Sequence, residues 1–131
     1  MTYAVSSLLY HLVNIDSVRN DNNNLRVVYD HVNIILEEIE LYFHPDLQKR
    51  FVKYLLDSLN TIRFDSIKGL NLILVTHSPF VLSDIPSSNI LALNKDGSQK
   101  DSVQSFGANI HKMLADSFIL KEGSIGDYAQ W

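Results

Sequence analysis

Apolar residues recur at spacings of three and four between Ala4 and Val18. Leu8, Leu9, Leu12, Ile15 and Val18 share one face, which predicts a helix. The Asn/Asp cluster Arg19-Asn20-Asp21-Asn22-Asn23-Asn24 then marks a loop. Leu25 to Tyr29 reads as a short extended piece. Val32 to Leu36 is apolar except for Asn33 and ends at two carboxylates, Glu37 and Glu38. Such a run predicts a parallel strand buried on both faces. Pro45-Asp46 opens a long helix with Leu47, Phe51, Tyr54, Leu55, Leu59 and Ile62 as its apolar stripe. Gly69 closes the connection, and Leu70 to Val75 predicts a second buried strand. Pro79 begins a short helix reaching about Ser83. Ile90 to Leu93 reads as a third strand. Lys95-Asp96-Gly97-Ser98 is a hairpin turn from which Ser102 to Gln104 pairs back. Asn109 to Asp116 reads as a short helix. Lys121 to Trp131 has no clear pattern.

Strand, helix, strand, short helix, strand is an α/β order. It implies a mostly parallel sheet with flanking helices. In such sheets ligands bind beyond the carboxyl ends of the strands. That rule gathers Glu37 and Glu38 at one strand end and His77 at the next.

Bulk properties narrow the field. The 131 residues suit one small domain or part of a larger one, and a net charge of −4 gives no electrostatic case for binding nucleic acid by this segment itself. The absence of cysteine excludes disulfides and thiolate metal sites. No signal-like leader and no span-length apolar run argue for a cytoplasmic protein without a membrane partner.

Two adjacent carboxylates leaving a strand point in different directions. One can hold Mg²⁺ through water, and the other can orient or deprotonate a water molecule. The plain alternative is that acids end a strand because solvent begins there. For an isolated Glu-Glu pair that alternative is the better one. His77, directly after the next strand, shifts the balance, because an imidazole there can bond a phosphate oxygen or a bound water. For Thr76-His77-Ser78-Pro79 alone, a strand end with Ser78 as helix cap would suffice. His44 before Pro45 reads as a loop contact or as a residue without a role. His11, His31 and His111 lack metal-ligand spacing and read as structural. Asp16, Asp21, Asp57 and Asp65 read as lying on solvated faces or in loops.

Val32-Asn33-Ile34-Ile35-Leu36-Glu37-Glu38-Ile39-Glu40 resembles a Walker B strand with its catalytic glutamate. Leu41-Tyr42-Phe43-His44-Pro45 resembles the segment that follows in RecF, SMC and OLD-like ATPases, overlapping the D-loop. Leu72 to Pro79 is similar to their switch-histidine strand. Ser105 to His111 and Ala115 to Phe118 are similar to AAA_15/AAA_21-type proteins, many of them in phage-defence or restriction-associated systems. The resemblance implies a partial P-loop NTPase fold of the ABC type. It implies that Glu37 takes the Mg²⁺ position, more commonly Asp but also Glu in OLD-like members. It makes Glu38 the general base or water-positioning group, and has His77 sense or hold the γ-phosphate. Glu40 and the loop to His44 would face a second ATPase head. The cofactors of the intact parent would be ATP and Mg²⁺, and its partners could include DNA or a nuclease or effector protein.

The sequence also departs from that pattern. A P-loop needs Gly-x-x-x-x-Gly-Lys-Ser/Thr to wrap phosphates with backbone amides, and none of the five glycines belongs to such a run. The Ser-Gly-Gly-Glu type of signature is missing, and Tyr3 to His11 is similar to the helix that follows it. The expectation is therefore a single partial ATPase domain over 1–131, a fragment inactive alone and without tightly bound nucleotide. Each charge-assisted phosphate contact contributes roughly 1.5–3 kcal/mol. Losing several moves ATP binding from micromolar to negligible. In the family's fold the Walker A strand lies between the switch-histidine strand and the next, so its removal leaves strand edges to be closed over or paired with another copy. Two alternatives stand beside this. One is a non-catalytic oligomerising module derived from such an ATPase. The other, ranked last because no Asp-x-Asp occurs, is a metal-dependent Toprim-like nuclease.

Overall fold

A computed structural model describes residues 1–18, 27–94, 96–100, 105–111 and 113. The chain divides into two compact units, Met1–His77 and Ser78–Trp131.

The first unit contains helix α1 (Thr2–Ser17), strand β1 (His31–Glu37), helix α2 (Pro45–Asn60) and strand β2 (Gly69–Val75). Helix α1 buries Val5, Leu12 and Asp16, with Leu8, Leu9 and Ile15 half-buried beside them. The expected stripe is thus present. Asp16 is the surprise. Predicted as solvated, it is 9 % exposed and lies one turn after Leu12 on the same face. Its Oδ1 accepts the Ser66 and Ile67 amides at 2.8 and 2.9 Å, and its Oδ2 accepts the Asp65 amide at 2.8 Å. The Ser66 hydroxyl donates to the Asp16 carbonyl at 3.1 Å. A carboxylate tolerates burial when backbone donors replace its water. Here it anchors the connection that leads into β2.

Helix α2 starts at Pro45, with His44 as its cap: His44 Nδ1 accepts the Asp46 amide at 3.4 Å. Phe51 and Leu55 are buried and Tyr54 and Leu59 half-buried, as the stripe predicts; Val52, outside the stripe, is buried too, and Ile62 is half-buried just past the helix end. Leu47 departs from the stripe at 38 % exposure. With Val5, Leu12, Ile34 and Ile67, these residues form the core of the unit.

β1 and β2 pair in parallel, His31 with Gly69 through Glu37 with Val75. Gly69 leaves the His31 ring in place at this register, because a Cβ there would lie 2.6 Å from Cδ2 of that ring. Both strands start one residue earlier than predicted; β2 ends at Val75 as predicted, and β1 runs one residue past Leu36 to Glu37. Among the described residues, their side chains alternate between a covered and an exposed face. Val32, Ile34, Leu36, Leu70, Leu72 and Leu74 are buried or half-buried, whereas Asn33, Ile35, Glu37, Asn71, Ile73 and Val75 are exposed. The expectation of burial on both faces is corrected by this alternation. Asn33 and Asn71 sit opposite each other on the open face, with Asn71 Nδ2 donating to Asn33 Oδ1 at 3.2 Å.

In the second unit, Ser78 caps the short helix α3 (Pro79–Leu82), its Oγ accepting the Val81 amide at 3.3 Å. A single 3₁₀ turn follows at Ser87–Asn89. The predicted third strand does not form. Leu91 and Leu93 are 66 % and 61 % exposed, and the segment makes one antiparallel bridge, Leu93 with Gln99. An apolar run without a neighbouring strand cannot complete a ladder. The hairpin turn is present: Gly97 has φ +80°, and the Asn94 amide donates to the Ser98 carbonyl at 2.8 Å. The chain thus pairs back at Gln99, and the predicted return strand Ser102–Gln104 lies outside the described residues. Ser105 is fully buried, its hydroxyl donating to the Ile85 carbonyl at 2.7 Å. Asn109 Oδ1 accepts the His111 amide at 2.9 Å, so the predicted helix begins as expected. Residues 114–116 of that helix, the loop 19–24 and the segments 115–118 and 121–131 also lie outside the described residues.

Candidate functional site at the strand ends

Parallel pairing brings the carboxyl ends of β1 and β2 together on one rim. At Glu38 the chain leaves β1 with φ +44°, the sole left-handed non-glycine among the described residues. A non-glycine in this region costs of order 1–2 kcal/mol and persists only when its surroundings hold it. Three contacts do so. The Glu38 amide donates to the Val75 carbonyl at 2.8 Å, which carries the ladder one residue past the strand. The Leu41 amide donates to the Glu38 carbonyl at 3.0 Å. The Glu38 carboxylate then lies 3.4 Å (Oε1) from Nε2 of His77.

Glu37 and Glu38 are both exposed, on successive residues and so in different directions. His77 is 82 % exposed. These are the three rim residues that strand polarity predicted, and two of them are in direct contact. Glu40 is placed differently. It is 5 % exposed, and its carboxylate accepts a hydrogen bond from the Thr76 hydroxyl. His44 is exposed at the far end of the same loop, where its ring caps α2.

The loop between them is tightly made. Phe43 donates its amide to the Glu40 carbonyl at 2.8 Å, and Gln48 Nε2 reaches the Glu40 and Phe43 carbonyls at 3.3 and 2.9 Å. The Phe43 ring packs on Phe51 at a centroid separation of 5.8 Å. Leu41 and Tyr42 protrude at its tip, 63 % and 93 % exposed. Sequence reasoning gave Thr76 no role. The signal was its position: alternate residues at a strand end point to opposite sides, so a histidine facing out leaves its neighbour facing in.

A hard cation with a retained water shell fits the exposed Glu37 carboxylate. Among the described residues no group of three His, Asp or Glu side chains converges on one point, so a metal here would draw most of its ligands from water and from its anionic partner. A triphosphate makes further demands. Its binding needs a row of backbone amides and a lysine, and the sequence has no glycine-rich phosphate loop.

An α/β unit built on a parallel strand pair, with acids and a histidine on its carboxyl rim, is consistent with part of a P-loop NTPase fold. Comparison with known families agrees. Residues 34–83 match the family model described as "AAA domain, putative AbiEii toxin, Type IV TA system". The match relates this stretch, from the middle of β1 through α3, to P-loop ATPases. No curated protein matches the chain. Among the described residues, no helix is long and apolar enough to cross a membrane.

Proposed function

We propose that this chain carries the water-activating half of an ATP-hydrolysing P-loop site, and that the phosphate-binding half comes from elsewhere. The observation that carries the reading is Glu38. A strained backbone aims its carboxylate off the strand end, and His77 meets it there. Glu38 orients a water molecule and accepts its proton. Glu37 is the residue that holds Mg²⁺ through water, and the ion when bound supplies positive charge for phosphate oxygens. His77 steadies the Glu38 carboxylate and presents its ring to an anionic oxygen. His44 and the protruding loop tip face a second ATPase head, while Glu40 braces that loop from within.

Two experiments test this. Calorimetric titration of the chain with Mg-ATP is expected to show no binding tighter than millimolar, and purified chain no ATPase activity. Micromolar binding, or turnover lost on Glu38→Gln, overturns the half-site. In the positive arm, the chain is mixed with or fused to a strand carrying Gly-x-x-x-x-Gly-Lys-Ser. ATPase activity that requires Glu38 is expected there.

One observation favours a second reading, an assembly module in which the rim is vestigial. Ile35, Ile73 and Val75 expose apolar surface on the open face of a parallel sheet, a class of sheet that normally has both faces covered. Sedimentation velocity of an Ile35→Lys, Ile73→Lys double variant separates the two. Dissociation of an oligomer with no effect on reconstituted turnover supports the assembly role. The nuclease alternative gains nothing from the geometry.

A further inference from the structure

We propose that Thr76 and Glu40 are positioning residues: their half-buried hydrogen bond sets the relation between Glu38 and His77 on the rim above. The role rests on reading that rim as reactive, but the tie itself does not. Glutamate is rarely buried unless it is paired. Glu40 is 5 % exposed, and the Thr76 hydroxyl donates to its carboxylate. The two residues lie beside the rim pair in sequence, Glu40 two positions after Glu38 and Thr76 immediately before His77. Two ties therefore join the turn after β1 to the end of β2. The inner one is Glu40 with Thr76, and the outer one is Glu38 with His77 at 3.4 Å. The backbone bond from the Glu38 amide to the Val75 carbonyl joins the same two segments.

The two ties differ in character. The outer one joins side chains that are 82 % and 44 % exposed, and water competes for both groups. It cannot by itself hold a strained turn. The inner one is half-buried, with Glu40 only 5 % exposed, and the Glu40 carbonyl is fixed by Gln48 and Phe43. Removing the Thr76 donor leaves a buried carboxylate short of a partner, so the turn must open to hydrate it. Opening moves Glu38, which lies two residues upstream.

The test reads the contact between Glu38 and His77 by NMR, without nucleotide. The His77 ring signals are compared, at fixed pH, with and without Glu38→Gln. In the otherwise native chain that substitution is expected to shift the ring signals. In Thr76→Val, which keeps the shape and loses the donor, the shift is expected to vanish. Thr76→Ser, which restores the donor, is expected to recover it. Glu40→Asp, one methylene shorter with the same charge, is a gentler second perturbation and is also expected to abolish the shift. Folding of each variant is checked by circular dichroism. An undiminished shift in folded Thr76→Val or Glu40→Asp overturns the proposal, and so does its loss in Thr76→Ser. Failure of the ATPase reading would show separately, as Glu38-independent or absent turnover in the reconstituted site.

Discussion

Replacing Asp16 by alanine sets two effects of opposite sign against each other. Asp16 sits in the last turn of α1, where a negative charge opposes the helix dipole. On that ground alone, its removal would stabilise the protein by about 0.3–1 kcal/mol. The structure adds three amide donors, at 2.8, 2.8 and 2.9 Å, that end on its carboxylate. Each charge-assisted bond contributes roughly 1.5–3 kcal/mol, and an orphaned buried donor costs about 1–3 kcal/mol. The contributions are not additive, and the Asp65 amide can be rehydrated because that residue is exposed. The buried Ser66 and Ile67 amides cannot be rehydrated without opening the connection. A net loss of about 3–5 kcal/mol is expected, as for other buried charges stripped of their partner. Asp16→Asn keeps one oxygen but sets an NH₂ group against an amide donor, so about half that loss is expected. Urea unfolding followed by circular dichroism reads both. With a slope of about 1–3 kcal/mol per molar, the Asp16→Ala midpoint should fall by at least about 1 M. An unchanged or raised midpoint would mean that the helix-dipole effect dominates and that the anchor contributes nothing.

Three further outcomes follow from the geometry. Glu38→Gly relieves the left-handed backbone, so it should be more stable than Glu38→Ala by about 1 kcal/mol; equal midpoints in urea would show that the turn is not strained. Gly69→Ala places a methyl group 2.6 Å from the His31 ring, an exposed side chain that can swing away. The cost should be about 1–3 kcal/mol and shrink in a His31→Ala background; a cost independent of His31 would contradict the register. Asp96 accepts bonds from the Ser98 hydroxyl at 2.6 Å and amide at 2.9 Å, and these hold its carboxyl below the usual aspartate range. A depressed folded-state value means that the turn gains support above the ordinary aspartate pKa and loses it as pH falls through the depressed value. Side-chain NMR titration should show this, and Ser98→Ala should move the midpoint back up; no movement would refute the cause.

How much of this was legible in the chain depends on which physical signal each feature left. Helices α1 and α2 announced themselves by periodicity, and the strand ends by a switch from apolar residues to carboxylates or histidine. Strand polarity alone brought Glu37, Glu38 and His77 to one rim. The open sheet face was also written in the sequence, at Asn33 and Asn71. Each polar residue occupies an odd-numbered position, and the exposed face carries the odd-numbered residues of both strands. Ile35, Ile73 and Val75 share that parity and masked the alternation. Asp16 was misread because composition treats an acid as solvated. Its place on the stripe, four residues after Leu12, was the better guide. What periodicity could not supply was its partners, which lie some fifty positions away. The third strand failed for a related reason: an apolar run specifies burial, but a ladder needs a neighbour that local sequence does not name.

The rim itself is asymmetric in a way that bears on ligand exchange. Its inner contacts, Glu40 with Thr76 and the Glu38 amide with Val75, are half-buried or part of the backbone ladder. Its outer contact, Glu38 with His77, is solvent-exposed and therefore worth at most about 1 kcal/mol. A group that offers His77 a stronger anionic partner, or Glu38 a water to orient, displaces that contact at small cost. The frame beneath need not move. On the proposed reading, this combination of a fixed backbone and an easily replaced outer pair suits a site that receives its phosphate-binding half from elsewhere.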